Sequence, residues 1–162
     1  MNIKRMIDLI YLILLGASIG GILTVGIVMT STIFNSEAYI GPVLSHYQEG
    51  QIMAQGFDKF SYFIGFMGIV IFTYEAYAYK KRQSDKTVIL SSMVALSTIG
   101  LFVGVYTPKI LEMQALGAEA TQSAAFESLH QGSSLDFKIL VLALIVLMGR
   151  RLYALLNRSR TA

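Results

Sequence analysis

Two histidines of this 162-residue chain each stand three residues from a glutamate, and this pattern has the clearest chemical meaning in the sequence. His46 precedes Glu49, and Glu127 precedes His130. A spacing of three places two side chains on one face of a helix. Because imidazole and carboxylate groups are ligands for transition metals, the four side chains could form one metal site between two helices. The two histidines could equally bind a haem iron from opposite sides, and ordinary polar helix surfaces carry such pairs as well.

Catalytic patterns are missing from the sequence, and we expect that the protein is not an enzyme. Ser133 and Ser134 lie close to His130, but a nucleophilic serine also needs an oxyanion pocket, and no Gly-x-Ser-x-Gly turn is present. The glycines interrupt apolar stretches and form no phosphate-binding loop. The chain has no cysteine, which excludes disulfides and thiolate metal sites. A metal would therefore be held by histidine, carboxylate or methionine.

Four long apolar stretches dominate the chain, at approximately residues 6–34, 58–79, 88–108 and 128–149. Each approaches or exceeds the ~20 residues that a helix needs to cross the hydrocarbon core of a bilayer. Apolar residues make up 54% of the composition and charged residues only 14%, which is typical of a chain whose main solvent is lipid. The sequence therefore predicts a single transmembrane domain over residues 1–162.

Basic residues mark one side of the membrane. Ten of the thirteen Lys and Arg residues lie before the first span, between the second and third spans, or after the fourth; they are Lys4, Arg5, Lys80, Lys81, Arg82, Lys86, Arg150, Arg151, Arg158 and Arg160. The positive-inside rule then places both termini in the cytoplasm, in a multi-pass protein of the bacterial inner membrane. Topology also accounts for the net charge of +3, so we expect the partner to be the lipid bilayer and not nucleic acid.

The two connections on the opposite side are predicted to be largely helical. They cover residues 35–59 and 107–136, contain Pro42 and Pro108 near their starts, and are rich in good helix formers. Since structureless segments longer than ~15 residues are uncommon, the second and fourth helices should extend beyond the membrane on its outer side. The predicted fold is all-α: an integral membrane four-helix bundle made of two helical hairpins that form a weak internal repeat.

Small residues and acidic residues suggest how the helices pack. Gly16 and Gly20 are four residues apart, as are Gly100 and Gly104, and this spacing lets helix backbones approach closely in a membrane. The close approach is predicted within the monomer, with a homo-oligomer as the alternative. Glu75 is predicted to pair with the Lys80–Lys81–Arg82 cluster about one turn away.

Several short motifs resemble a small four-span family found in bacteria and animals. They are Phe34 after the first span, Pro108 with Ile110 at the end of the third, and Leu129, His130 and Ser133 opening the fourth. The animal member of that family is the transmembrane protein associated with platinum-drug resistance, and the bacterial members are largely of unknown function. A more distant likeness is to copper-resistance D-like four-span proteins.

The chain departs from the family pattern at two places. Thr32 and Ile33 stand where a proline often precedes the aromatic, and Asp136 with Phe137 stands where an asparagine is expected. The resemblance implies a helical integral membrane protein with some connection to solute or metal handling. Together with the residues, it leaves three functional hypotheses: transport of metal ions or small solutes, binding of haem or a transition metal through His46 and His130, and a structural or assembly subunit.

Overall fold

The computed structural model describes residues 3–160, with side chains through residue 157, as four long helices joined by short connections. The long helices are α1 (Ile3–Phe34), α3 (His46–Lys80), α4 (Lys86–Ala115) and α6 (Ala124–Arg160), and the two short ones are α2 (Glu37–Ile40) and α5 (Ala118–Thr121). Residues 3–160 contain no strand. The side chains of Arg158 and Arg160, which contributed to the topology prediction, lie outside the described residues.

All four long helices are long and apolar enough to cross a membrane. Only 22% to 39% of the most apolar window of each helix is buried inside the bundle. The remainder of each window is an apolar outer surface, which is unfavourable in water and favourable in lipid. The predicted all-α membrane four-helix bundle is therefore confirmed.

The helices follow one another around the bundle in the order α1, α3, α4 and α6, with α6 packing against both α4 and α1. Each helix contributes small or aliphatic side chains to a central core; the most deeply buried are Leu15, Ile22, Ile64, Met67, Ile71, Ala95, Leu140, Leu144 and Leu147. We call the end with the connections after α1 and α4 the histidine end, and the end with the turn between α3 and α4 the basic end. The basic end carries Lys80, Lys81 and Arg82.

Local capping decides where α3 and α4 begin. The Ser45 Oγ accepts a hydrogen bond from the Gln48 backbone N–H at 3.3 Å, and the Gln48 side chain accepts one from the Ser45 backbone N–H at 2.8 Å. These two bonds form a capping box. It starts α3 three residues after Val43 and well before the apolar stretch. Asp85 caps α4 by accepting from the Val88 N–H at 3.0 Å. A hydrogen bond from Arg150 lowers the pKa of the Asp85 carboxyl.

The two halves of the chain repeat the same order of elements. Each has an outgoing helix with a π-helical segment near the histidine end, then a short helix, then a long returning helix; the π segments are Thr24–Met29 in α1 and Phe102–Tyr106 in α4. The second connection is largely helical, as predicted, and its first part continues α4 through Pro108 to Ala115. Pro108 lies two residues after the π segment, in the first turn of the α-helical part that follows it, where a missing N–H and the proline ring are accommodated.

Most of the glycines predicted to allow close helix packing do not lie at close contacts between helices. A Cβ added at Gly16 would meet Met148 at 3.7 Å, an ordinary contact, but one added at Gly20, Gly100 or Gly104 would meet nothing within 4 Å. These three glycines face outward, so close packing within the monomer is wrong for them. The homo-oligomer alternative stays a prediction. Instead, the tight approaches involve Gly21, Gly26, Gly56, Gly68 and Gly132.

Gly20 and Gly21 therefore make a matched pair for mutation. A Cβ at Gly21 would lie 2.9 Å from the Phe60 ring, and that ring packs against Phe63 and Phe137. We expect Gly21→Val to destabilise the protein by ~1–3 kcal/mol through overpacking, and Gly20→Val to change stability little. Thermal unfolding of both variants in detergent, followed by circular dichroism, measures the difference. Equal melting temperatures for the two variants would contradict a close contact between Gly21 and the Phe60 ring.

Candidate ligand cavity at the histidine end

A cavity of about 900 Å³ opens between the helices at the histidine end. All four long helices contribute to its lining, and most lining side chains are apolar. The polar ones are Thr30, His46, Tyr47, Thr107, Gln114, Thr121, Gln122, Glu127, His130, Ser133, Ser134 and Lys138. Volumes of ~300–1,000 Å³ with a mainly apolar wall and a few polar groups are typical of small-molecule binding sites.

Aromatic rings line the inner part of the cavity. Phe137 of α6 lies 5.4 Å from Phe57 of α3 and 5.0 Å from Phe102 of α4, measured between ring centroids, and Phe57 and Phe102 are 6.0 Å apart. Phe102 and Phe137 also belong to the buried core. These three rings form the floor of the cavity, and edge-to-face contacts of this kind fix their orientation.

The cavity is also continuous with the lipid-facing surface. Ile27 of α1 and Leu142 of α6 line it, yet they are 62% and 64% exposed on the outside of the bundle. A molecule in the cavity would therefore contact both the interior of the bundle and the surrounding acyl chains.

His46 lies at the start of α3 and lines the cavity with a largely exposed side chain. Its Nδ1 is 3.3 Å from the Glu49 Oε2, and its ring is 5.2 Å from the ring of Phe34. Glu49 is buried and accepts a hydrogen bond from the Ser36 hydroxyl at 2.6 Å, which ties the start of α3 to the connection after α1. Glu49 is not among the residues that line the cavity.

His130 also lines the cavity, in the first part of α6, together with Glu127. Its ring is parallel to the ring of Phe126 within 5°, at a centroid distance of 6.3 Å. Glu127 accepts from the Gln131 side chain at 2.7 Å, and the Ser133 hydroxyl donates to the His130 carbonyl at 2.9 Å. Each histidine is thus supported by an aromatic neighbour and faces the same cavity.

The structure does not assemble the four-ligand metal site expected from the sequence. Within residues 3–157, whose side chains are described, no group of three or more His, Cys, Asp or Glu side chains could hold a metal ion. Glu49 bonds to Ser36 and does not line the cavity, while His46, Glu127 and His130 line it without forming a group of three that could hold a metal ion. What remains of the prediction is two histidines on one apolar cavity.

Two buried polar groups lack a hydrogen-bond partner among the described residues, and the sequence reasoning did not single them out as functional. They are the Thr107 hydroxyl, which lines the cavity, and Oδ2 of Asp136, which precedes Phe137 on α6. The signal for Asp136 was available, since a carboxylate inside a predicted span indicates function by default. Thr107 carried no such signal, because its burial depends on how α4 packs.

The basic end is closed by a buried ion pair. Arg151 of α6 donates from Nε to the Glu75 Oε1 at 2.9 Å and from Nη2 to the Glu75 Oε2, and both side chains are less than 8% exposed. Arg151 also donates to the carbonyl of Gln83 and to the hydroxyl of Ser84, both at 2.9 Å. The expectation that Glu75 pairs with the Lys80–Lys81–Arg82 cluster is therefore wrong: its partner comes from the last helix.

Two tyrosines complete this network. The Tyr11 hydroxyl donates to the Glu75 Oε1 at 2.9 Å, and the Tyr74 hydroxyl donates to the Asp8 Oδ1 at 2.7 Å. The two rings stack at a centroid distance of 3.8 Å, and the Arg151 guanidinium lies 5.4 Å from the centre of the Tyr74 ring. We call these five residues, Asp8, Tyr11, Tyr74, Glu75 and Arg151, the basic-end clasp. It joins α1, α3 and α6, and none of its members lines the cavity.

The residues that carry the family resemblance divide between two faces of the bundle. Phe34, Ile110, His130 and Ser133 line the cavity, whereas Pro108 and Leu129 do not. A family described as a domain of unknown function (DUF4149) matches residues 13–119. The chain belongs to the DUF4149 family. No curated protein and no solved structure matches the chain.

The DUF4149 match covers most of α1, all of α3 and α4, and the start of α5, and it ends before α6. It includes His46 and the cavity-lining parts of α1, α3 and α4. His130, Phe137 and Arg151 lie beyond it. In this DUF4149 protein, α6 therefore supplies the second histidine, part of the cavity floor and the cation of the basic-end clasp.

Proposed function

We propose that this DUF4149 protein binds a small, largely apolar solute in the cavity at its histidine end, as a step in the handling or transport of that solute across a bacterial inner membrane. The cavity carries this proposal. Its volume of about 900 Å³ and its mainly apolar surface match the properties of small-molecule sites. No catalysis is part of the proposal.

The asymmetry of the bundle supports a one-sided site. The histidine end has a cavity, while the basic end is held by the basic-end clasp. With the basic flanks in the cytoplasm, as the positive-inside rule indicates, the cavity faces the outer compartment. Transport would then require the clasp to open, and a binding protein that does not transport would keep it closed.

The chemistry of the wall favours an amphipathic solute over a free metal ion. A metal path needs several converging charged ligands, and the side chains described through residue 157 provide none. Ile27 and Leu142 join the cavity to the lipid-facing surface, so an apolar molecule could enter from the bilayer. The short motifs that resemble the family of the platinum-drug resistance protein and the copper-resistance D-like proteins also support a role in solute handling.

The lack of cysteine makes a direct test straightforward. Ser134→Cys places a thiol in the cavity, and Lys81→Cys places one in the exposed turn at the basic end. We expect a membrane-impermeant maleimide to label Ser134→Cys in intact spheroplasts and Lys81→Cys only after the membrane is opened. Bound solute should slow labelling of Ser134→Cys, so a panel of small amphipathic compounds can be screened by protection.

The result can contradict the proposal in two ways. Labelling of Lys81→Cys from outside would show that the protein has the opposite orientation to the one proposed. Labelling of Ser134→Cys that no compound slows would argue against a solute site and favour the structural or assembly subunit. Ser92→Cys, which is buried and distant from the cavity lining, is the matched negative control for reagent access.

Haem is a second candidate ligand, favoured by one observation: His46 and His130 both line the same apolar cavity, each beside an aromatic ring. The His46 and His130 imidazoles would hold the haem iron, and a bound haem would supply electron-transfer chemistry. The residue types and the cavity volume fit this group.

Titration of the purified protein with haemin tests this second candidate. Binding through the histidines should give a Soret band with the shape of bis-imidazole ligation. That signature should disappear in His130→Ala and in His46→Ala, and persist in the control Gln122→Ala, which changes another lining residue. A spectrum that is the same in all four proteins would exclude histidine ligation.

A further inference from the structure

A second, smaller pocket of about 410 Å³ lies on the outside of the bundle, between α3 and α4. We call it the α3–α4 groove. Asp58 and Ser61 of α3 and Thr107 of α4 line its polar part, and Tyr62 and Phe66 line its apolar part. Thr107 lines both this groove and the cavity, so it stands in the wall between them. The other polar residues of the groove do not touch the cavity.

The polar part of the groove offers hydrogen-bond acceptors that the protein does not use. The Thr107 residue is 6% exposed, and its hydroxyl has no partner among the described residues. The Asp58 side chain is 21% exposed, and its Oδ2 lies 3.7 Å from Nζ of Lys59, whose own side chain is 75% exposed. Ser61 uses its proton to donate to the Asp58 carbonyl at 2.7 Å. The partly exposed Asp58 carboxylate is thus available to a cationic donor, whereas the Thr107 hydroxyl is buried in the wall of the groove.

The apolar part of the groove faces lipid. Tyr62 and Phe66 are 68% and 54% exposed, and successive turns of α3 carry them away from Asp58 toward the middle of the membrane. Residues 58 and 108 are the predicted ends of the second and third spans, so the polar part lies at the depth of the lipid headgroups. A molecule that fills the groove therefore has a polar head at that depth and an apolar tail along α3.

We infer that the α3–α4 groove binds a phospholipid with a primary amine, such as phosphatidylethanolamine, from the adjacent leaflet. The ammonium group donates to the Asp58 carboxylate, the phosphate lies beside Lys59, and one acyl chain packs on Tyr62 and Phe66. Charge-assisted hydrogen bonds select a primary amine, whereas the quaternary nitrogen of phosphatidylcholine has no proton to donate. This site is independent of the solute proposed for the cavity.

The test is competition between lipids. The full-length protein is purified in detergent with equimolar phosphatidylethanolamine, phosphatidylcholine and phosphatidylglycerol, and the retained lipids are counted by native mass spectrometry. We expect the wild-type protein to retain phosphatidylethanolamine about five- to tenfold over phosphatidylcholine. Asp58→Asn should reduce this preference to nearly none.

Glu112→Gln is the matched control, because it removes an exposed carboxylate of the same helical region that does not line the groove. It should keep the full preference. Equal retention of the two zwitterionic lipids by the wild-type protein, a preference for phosphatidylglycerol, or an unchanged preference in Asp58→Asn would each overturn the inference. Protection of Ser134→Cys by a solute should be the same with and without Asp58→Asn, which separates this site from the cavity.

Discussion

Replacing Glu75 by glutamine is expected to lower the stability of the protein by ~3–5 kcal/mol, because it breaks a buried ion pair from one side. The substitution leaves the buried Arg151 guanidinium without its counter-charge, and arginine cannot become neutral by losing a proton. For a chain of this length, we expect the melting temperature to fall by roughly 6–20 °C. Thermal unfolding in detergent, followed by circular dichroism at 222 nm, measures it.

The opposite half of the pair should be less sensitive. Arg151→Met leaves Glu75 with the hydrogen bond that it accepts from the Tyr11 hydroxyl, so we expect the loss to be smaller than for Glu75→Gln. The double variant Glu75→Leu/Arg151→Met removes both charges and should recover much of the stability, because an apolar pair needs no desolvation. A double variant as unstable as Glu75→Gln would show that the unpaired charge is not the source of the loss.

Arg150 provides a control next to Arg151 in sequence. It pairs with Asp85 at the surface, where the two side chains are 42% and 45% exposed. Exposed pairs contribute ~0–1 kcal/mol, so Arg150→Met should lower stability by less than about 1 kcal/mol. If Arg150→Met and Glu75→Gln cost the same, burial would not be the cause of the effect.

Replacing Phe137 by alanine is expected to have the second largest effect, a loss of about 3 kcal/mol, through lost packing of the ring. The ring contacts Phe57, Phe60 and Phe102 at centroid distances of 5.0 to 6.3 Å. Phe→Ala in water-soluble cores costs ~3–5 kcal/mol. The lower end applies to this protein because lipid is as apolar as the bundle interior, so that lost packing, and not transfer from water, makes the difference.

The same substitution removes part of the cavity floor. We expect Phe137→Ala to bind larger solutes than the wild-type protein, which the protection of Ser134→Cys by a size-graded series of compounds would measure. Leu135→Ala, on the same helix and 59% exposed, should change neither stability nor size selection. A Phe137→Ala variant with wild-type stability and wild-type selectivity would show that the ring is not a structural floor.

Hydropathy and helix propensity predicted the bundle, because hydropathy indicates which segments lie in lipid and helix propensity indicates which segments outside it stay helical. Four apolar stretches demanded four helices, and the helix formers before Phe60 and before Asp136 correctly indicated that α3 and α6 begin well outside the apolar stretches. The π segments of α1 and α4 were not predicted, because they are set by backbone geometry and leave no simple signal in composition.

Pairing between helices was predicted poorly, since sequence spacing reports only on local neighbours. The His46–Glu49 spacing did produce a contact, but Glu75 bonds a residue 76 positions away in preference to its basic neighbours. The glycine spacing identified the right region of α1 and the wrong residue, because a rotation of one position, from Gly20 to Gly21, decides which glycine meets Phe60. The volume of the cavity depends on the tilt of the helices, which the spacing of residue types in the sequence does not predict.

The reach of the Glu75–Arg151 bond across 76 residues has a consequence for biogenesis. At ~5–20 residues per second, a ribosome adds Arg151 about 4 to 15 s after Glu75. Throughout that interval the nascent first hairpin holds a carboxylate whose permanent counter-ion has not yet been made. The basic end can therefore be closed by this ion pair only after α6 has been made, and a translation product that stops before α6 keeps Glu75 without its arginine partner.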